Sequence, residues 1–188
     1  MVDGGSSDAT AALSASLCDR LLVTGKGRAL QMNTGARAAR GDALVFLHAD
    51  TRLPPEADHL IREALARSSW GRFDVRIDGR HPLLGAVAGA MNLRSRLTGI
   101  ATGDQAIFVR RDAFIGFPDL PLMEDIAFSG EMKRRSRPAC LRERVVTSGR
   151  RWERGGVLST IFLMWRLRLL YALGVPAQRL ARDYAERR

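Results

Sequence analysis

The chain contains little cysteine, little lysine and few aromatic residues. Two of its 188 residues are cysteines, two of its 30 basic residues are lysines, and 6% of its residues are aromatic. Two cysteines cannot form the dense disulfide framework of a small secreted protein, and no secretory leader is recognisable after Met1. We therefore expect a protein of the reducing cytoplasm that folds as one domain without disulfides or a structural metal.

Positive charge is in excess, and it is unevenly distributed. Residues 1–132 contain 15 basic and 16 acidic side chains, whereas residues 133–188 contain 15 basic and 4 acidic ones. The net charge of +10 therefore comes from the last third of the chain. Such a patch suits a polyanionic substrate, an anionic membrane face or nucleic acid. Nucleic acid is the least favoured partner, because aromatic residues are few and no known nucleic-acid-binding module is present.

Apolar runs alternate with helical patterns along the chain. Continuous apolar runs predict buried strands at 43–47 and 105–109, and a period of two predicts a half-exposed, antiparallel strand at 73–78. Shorter strands are predicted at 21–23 and 141–146. The predicted helices are 8–18, 28–40, one that begins at Pro54, 83–96, 124–135, 157–173 and 176–187. This alternation predicts an α/β domain with a mixed sheet.

Polar side chains follow the predicted buried strand at 43–47. Asp50 lies where ligands usually bind in an open α/β sheet, and its carboxylate suits a hard divalent cation. His48 lies two residues earlier and points the same way if the strand continues. A capping role for Asp50 before Pro54 is the alternative interpretation.

Two glycine-rich turns near the start are candidate donor contacts. Asp3 lies at a strand end and opens a turn that leads into a helix, where a carboxylate can bond a base or ribose. Lys26 and Arg28 place two cations on a turn before the next helix, which suits a phosphate. An ordinary capped turn and a solvated loop are the respective alternatives, and the second turn lacks the spacing of a P-loop.

Three later segments carry further candidates. Asp104 lies on a polar turn that precedes the strand at 105–109. Glu124 and Asp125 begin a helix beside an irregular stretch, which suits either a general base or simple capping of the helix. Arg151 and Trp152 lie in a predicted loop with glycines on both sides. There they would grip a diphosphate and stack on a ring, unless the loop is merely solvated.

The apolar segment 157–173 is short for a membrane span. It also contains Arg166 and Arg168, which make insertion across a bilayer costly. Two interpretations stay open at about equal weight. The helix either packs on the domain or lies in a membrane interface with its arginines reaching the headgroups.

Taken together, five stretches resemble the family-2 glycosyltransferases, in particular a small bacterial subgroup termed family-2-like. The matching stretches are 3–10, 25–55, 102–114, 116–135 and 147–156. The resemblance implies a Rossmann-like nucleotide-diphospho-sugar transferase fold with a mixed sheet. It implies that Asp3 contacts the nucleotide, that Asp125 is the catalytic base, and that Arg151 and Trp152 hold the diphosphate. His48-Ala49-Asp50 stands in place of the family's DxD motif, so Asp50, with His48, would bind Mn²⁺ or Mg²⁺.

The resemblance also implies an activity and an architecture. We expect an inverting glycosyltransferase with a catalytic domain at 1–156 and basic helices at 157–188. The acceptor would be a lipid-linked sugar or polyprenyl phosphate, and the protein would lie at the inner face of the membrane. Only Met1 and Val2 precede Asp3, so we expect the family's opening strand, helix and second strand to be missing. A non-catalytic remnant that binds nucleotide, membrane or a protein partner is therefore the alternative.

Overall fold

Five strands form the central sheet of the computed structural model, which describes residues 1–185. The strands of the chain are β1 (Val2–Asp3), β2 (Leu22–Val23), β3 (Ala43–Phe46), β4 (Thr51–Arg52), β5 (Trp70–Asp78), β6 (Ile107–Arg110) and β7 (Ala139–Ser148). The sheet order is β3–β6–β5–β7–β4, in which β5 and β7 run parallel and the other neighbours run antiparallel. The mixed sheet is thus confirmed, while β1 and β2 form a separate parallel pair.

Eight helices surround these strands in the described part of the chain. They are α1 (Thr10–Ala15), α2 (Arg28–Ala38), α3 (Ala57–Leu65), α4 (Leu83–Thr98), α5 (Glu124–Arg135), α6 (Arg150–Gly155), α7 (Val157–Ala172) and α8 (Ala177–Ala185). The end of the last predicted helix, at 186–187, lies outside the described residues.

The sheet is covered on both faces, because successive side chains of a strand point to opposite sides. On β6, Phe108 joins the core under α3 and α4, whereas Ile107 and Val109 join the core under α2 and α5. A third cluster contains Leu167 and Leu180 and joins α7 and α8 to the segment that precedes α5. The result is a three-layer α/β domain on which the C-terminal helices pack.

The prediction of a half-exposed, antiparallel strand at 73–78 is right about exposure at its end and wrong about its pairing. Arg76 and Asp78 are exposed, but Asp74 is buried. The segment pairs in parallel with β7, because the antiparallel pairing with β6 is limited to Trp70 and Gly71. The buried charges of β5 pair with each other. Arg72 pairs with Asp74, and Arg96 of α4 donates to the same carboxylate over 2.7 Å.

A second difference concerns the segment predicted as a loop around Arg151, which is helix α6. Here Gly149 donates to the carbonyl of Asp78 over 2.6 Å, and a Cβ on this glycine would lie 2.4 Å from that oxygen. Glu153 then accepts from the backbone N–H of Arg80 over 2.6 Å. These tertiary contacts fix a helix in a stretch that shows no helical periodicity.

Boundaries of other elements also shift. Thr51–Arg52 pairs with β7 as a short strand that the sequence did not indicate, and α1 is shorter than predicted. The helix predicted from Pro54 begins at Ala57. Gln105, predicted to begin a strand, instead ends a short 3-10 turn.

Candidate functional site

Distant parts of the chain line one cavity of about 760 Å³, a size usual for small-molecule sites. Its walls are rich in positive charge, with two carboxylates and one indole among them. Its ionisable and aromatic lining residues are Arg28, His48, Asp50, Asp104, Arg150, Arg151, Trp152, Arg154 and Tyr184. Six of the sequence-predicted site residues thus face one space, and the C-terminal basic segment supplies much of its charge.

His48 and Asp104 form a pair in this cavity. The His48 Nδ1 atom lies 3.4 Å from Asp104 Oδ1. Gly103 makes this approach possible, because a Cβ there would lie 2.4 Å from His48 Nε2. The hydrogen bond to Asp104 raises the pKa of His48 above its usual value, although burial opposes the change. Burial alone would raise the pKa of Asp104, but His48 and nearby arginines outweigh it and lower that pKa.

Asp50 is exposed, and it lines the same cavity as Asp104. Among residues 1–185, no group of three or more histidine, cysteine or acidic side chains is arranged to hold a metal ion. A hard cation accepts a few carboxylate oxygens when substrate phosphates and water complete its shell. Asp50 and Asp104 offer carboxylate oxygens of this kind to the same cavity, where Asp104 is paired with His48.

Arg28 and Glu124 join the start of α2 to the start of α5. Arg28 Nε lies 2.8 Å from Glu124 Oε1, and only 2% of the Glu124 side chain is exposed. Burial raises the pKa of Glu124, while the positive charge of Arg28 acts against that rise. Met123, just before it, adopts a left-handed conformation with φ 69°, which costs a non-glycine residue free energy. The ion pair thus holds Arg28 in the lining of the cavity.

Asp125 is half-buried at the start of α5, outside the lining of the cavity. Its Oδ2 accepts from the N–H of Gly103 over 2.9 Å, and its Oδ1 accepts from the N–H of Ile126 over 2.8 Å. Arg94 and Arg168 both interact electrostatically with this carboxylate. Asp125 is therefore bonded to the turn at Gly103, which also carries Asp104 and contacts the ring of His48. Two arginines lie nearby.

Asp3 and Lys26 also lie outside the lining of the cavity. Asp3 is buried, and its carboxylate accepts from Ser6 Oγ over 2.5 Å and from the N–H groups of Ser6 and Gly5 over 2.9 and 3.0 Å. These bonds, the side-chain bond from Ser6 first, lower the pKa of Asp3. The carboxylate of Asp3 thus bonds its own turn, and Lys26 is exposed to solvent.

The sequence did not indicate that α7 and α8 form a wall of the cavity. The guanidinium of Arg151 lies 4.6 Å from the ring centre of Tyr184 in α8, and Trp152 packs against the core. Facing them are residues of α7: Ser159, Thr160, Leu163 and Met164. These four residues are spaced by one, three and one positions, so they share one face of the helix. This spacing is the only sign in the sequence that the helix has a face for the cavity.

Comparisons with known proteins agree with this fold. The model of the glycosyl transferase family 2 matches residues 1–113. No curated protein matches the chain. Solved structures of TarS from S. aureus are similar: the complex with UDP has a TM-score of 0.60 at 18% identity, and the complex with UDP-GlcNAc has 0.59 at 17%.

The extent of these matches decides what they show. Each TarS match covers 78% of this chain, but only 49% or 48% of the TarS chain, so the protein spans about half the length of these structures. At this identity the likeness shows the fold, that of the nucleotide-diphospho-sugar transferases. The match to the family model also shows family membership, since it spans more than half of the 188 residues. The chain belongs to the glycosyl transferase family 2.

Proposed function

We propose that the protein transfers a sugar, with inversion, from a nucleotide-diphospho-sugar to an acceptor hydroxyl or phosphate. The observation that carries this proposal is the single cavity that gathers four arginines, an indole and two carboxylates. Arginine suits a diphosphate because its planar guanidinium donates paired hydrogen bonds to phosphate oxygens. The complexes of TarS with UDP and UDP-GlcNAc support a donor of this class.

At the donor end, Arg28 and Arg151 would hold the diphosphate while Trp152 stacks on a ring of the donor. Asp50 would hold Mn²⁺ or Mg²⁺, with Asp104 and His48 beside it. When bound, such a cation stabilises negative charge on a departing diphosphate. As a metal ligand, His48 would bind through Nε2 after losing the proton there, while Nδ1 keeps its pairing with Asp104.

We also propose donor contacts for Asp3, which resembles the family's nucleotide contact, and for Lys26, whose turn before α2 suits a phosphate. Both residues lie outside the lining of the cavity. The turn after Asp3 and the turn at 25–28 would therefore have to close on the donor. Asp3 would exchange its bond from Ser6 for one from a base or ribose.

Asp125 would act as the general base. The acceptor hydroxyl gives its proton to the Asp125 carboxylate while its oxygen bonds to the anomeric carbon. The bond from that carbon to the diphosphate breaks on the opposite face, and the nucleoside diphosphate leaves with the electron pair. Gly103 and the start of α5 hold the carboxylate in place for this step.

The surroundings of Asp125 favour an anionic acceptor. The Nε and Nη2 atoms of Arg94 are buried and have no hydrogen-bond partner within the described chain. Burial lowers the pKa of Arg94 to about 10, and it lowers the pKa of Arg168 as well. Buried guanidinium donors without a hydrogen-bond acceptor are costly, and an anionic ligand beside Asp125 would supply Arg94 with an acceptor. We propose a polyprenyl phosphate or lipid-linked sugar, received at the anionic inner face of the membrane.

Calorimetric titration with UDP and with GDP, each with and without Mn²⁺, tests the donor proposal. We expect metal-dependent binding of one of the two nucleotides, and weaker binding after Arg151→Met. Arg137→Met is the matched control, because Arg137 is exposed outside the cavity lining. A folded protein that binds neither nucleotide would contradict the proposal and favour the alternative, a non-catalytic domain that binds a partner.

A further inference from the structure

Helix α7 and the residue that follows it present a continuous apolar stripe to solvent. The exposed fractions are 60% for Leu158, 68% for Phe162, 69% for Trp165, 61% for Leu169 and 72% for Leu173. Side chains of this size are seldom exposed together on a soluble protein unless the patch binds something. We propose that this set, the α7 stripe, docks the protein on an anionic lipid bilayer.

The arrangement of the stripe follows from helix geometry. At about 100° per residue, the five side chains fall within an arc of about 80°. Val157, Thr160 and Leu167 lie elsewhere around the helix and are buried. The helix is therefore packed on the domain through one side, as one of the two interpretations of 157–173 expected, and its opposite, outward side is apolar.

Positive charge borders the stripe at one edge. Arg166 lies there, 48% exposed and 3.5 Å from Asp183. Arg168, beyond the other edge, is half-buried and interacts with Asp125 instead. The stripe belongs to the third of the chain that carries the excess positive charge. An apolar stripe in a strongly basic segment matches a bilayer interface, where acyl chains receive the apolar groups and phosphates receive the guanidinium groups.

The chemistry of the stripe favours a membrane surface over a membrane span or a protein partner. No helix within residues 1–185 is long and apolar enough to cross a bilayer. Tryptophan prefers the headgroup level of a membrane, and Trp165 lies near the middle of the stripe. Acidic side chains on a protein partner would have to match the positions of the basic residues around the stripe, whereas an anionic leaflet supplies negative charge everywhere.

The cavity lies on the other side of α7 from the stripe. Ser159, Thr160, Leu163 and Met164 line it, and at about 100° per residue they point away from the stripe. Docking would therefore place α7 between the lipid surface and the cavity, which would lie behind one helix diameter of about 10 Å. This inference deepens the proposed function, and it rests on that function only for the lipid-linked acceptor that the docked site would receive.

Co-sedimentation with lipid vesicles tests the proposal on the full chain. We expect the protein to bind vesicles that contain phosphatidylglycerol, more weakly at higher salt, and not to bind phosphatidylcholine alone. The double variant Phe162→Ser, Trp165→Ser should bind roughly tenfold more weakly or worse, because two large apolar groups no longer leave water. Leu13→Ser, Leu17→Ser is the matched control, since these leucines of α1 and its C-terminal turn are 69% and 84% exposed.

Two results would overturn the proposal. One is equal vesicle binding by the α7 double variant and the wild type. The other is self-association of the wild type that the same variant abolishes, with no vesicle binding, because the stripe would then join two copies of the chain. Titration with UDP on both proteins separates this inference from the proposed function. If the wild-type protein bound vesicles but not UDP, the result would contradict the proposed function and leave the membrane docking supported.

Discussion

Gly103 and Asp125 are joined by a hydrogen bond of 2.9 Å from the glycine N–H to the carboxylate Oδ2. The same glycine accommodates the ring of His48, which a side chain at this position would displace. One backbone turn thus connects the proposed base with the proposed donor site. The hydrogen bonds that hold the carboxylate come from backbone N–H groups, while Arg94 and Arg168 add favourable charge.

Asp125→Asn should abolish sugar transfer while leaving nucleotide binding intact. Asparagine keeps an oxygen that can accept from Gly103, but it cannot take a proton from the acceptor. We expect turnover to fall by about 10²–10⁴-fold, the usual contribution of a general base. Product formation and UDP titration measure the two properties separately. Asp119→Asn, an exposed change shortly before α5, is the control. Normal turnover by the Asp125 variant would show that another group is the base.

The pairing of His48 with Asp104 predicts a dependence of stability on pH. The folded pKa of His48 is raised, so its contribution is complete below its unfolded pKa, about 6.5. The contribution disappears as the pH rises through the folded pKa. The difference in unfolding free energy between wild type and His48→Gln should therefore shrink above about pH 6.5. Urea unfolding at several pH values measures it, and a difference that grows with pH would refute the pairing.

The buried charges of β5 predict a large loss of stability in Asp74→Ala. Arg72, which is fully buried, would lose its partner, and Arg96 would lose a bond of 2.7 Å. Removal of one partner from a buried pair costs about 3–5 kcal/mol. Urea unfolding should show this loss, whereas Asp112→Ala, which breaks an exposed pair with Arg110, should change stability far less. If Asp74→Ala lost as little stability as Asp112→Ala, Arg72 would have found another partner.

The sequence predicted the order of the main elements because strong apolar runs and glycine or proline boundaries fix them locally. It was wrong about the pairing of β5 and the burial of Asp74 for a physical reason. Alternation of apolar and charged residues is typical of a half-exposed strand, and Arg76 and Asp78 are indeed exposed. Burial of Asp74 depends on Arg96, which lies in the next helix, and a single sequence does not show that pairing.

In the candidate site, too, the sequence predicted what local pattern fixes and missed what depends on tertiary packing. His48, Asp50 and Asp104 follow or precede predicted strands, and the topology brings such positions together at one edge of the sheet. Asp3 has an equally suggestive position, yet its carboxylate bonds its own turn. Local pattern cannot distinguish a carboxylate that awaits a ligand from one that its neighbours already satisfy. The wall formed by α7 was missed because its role depends on how the helix packs.

The environment of Arg94 predicts an unusual combination of effects for Arg94→Met. Because Nε and Nη2 of this arginine are buried without partners in the described chain, methionine should leave the free energy of unfolding unchanged or increase it. Transfer to a phosphate-bearing acceptor should fall at least tenfold, since the proposed anion contact beside Asp125 is lost. UDP binding should persist, because Arg94 lies outside the cavity lining. Arg134→Met, an exposed change on α5, serves as the control. A clear loss of stability with unchanged transfer would show that Arg94 supports the fold rather than the acceptor.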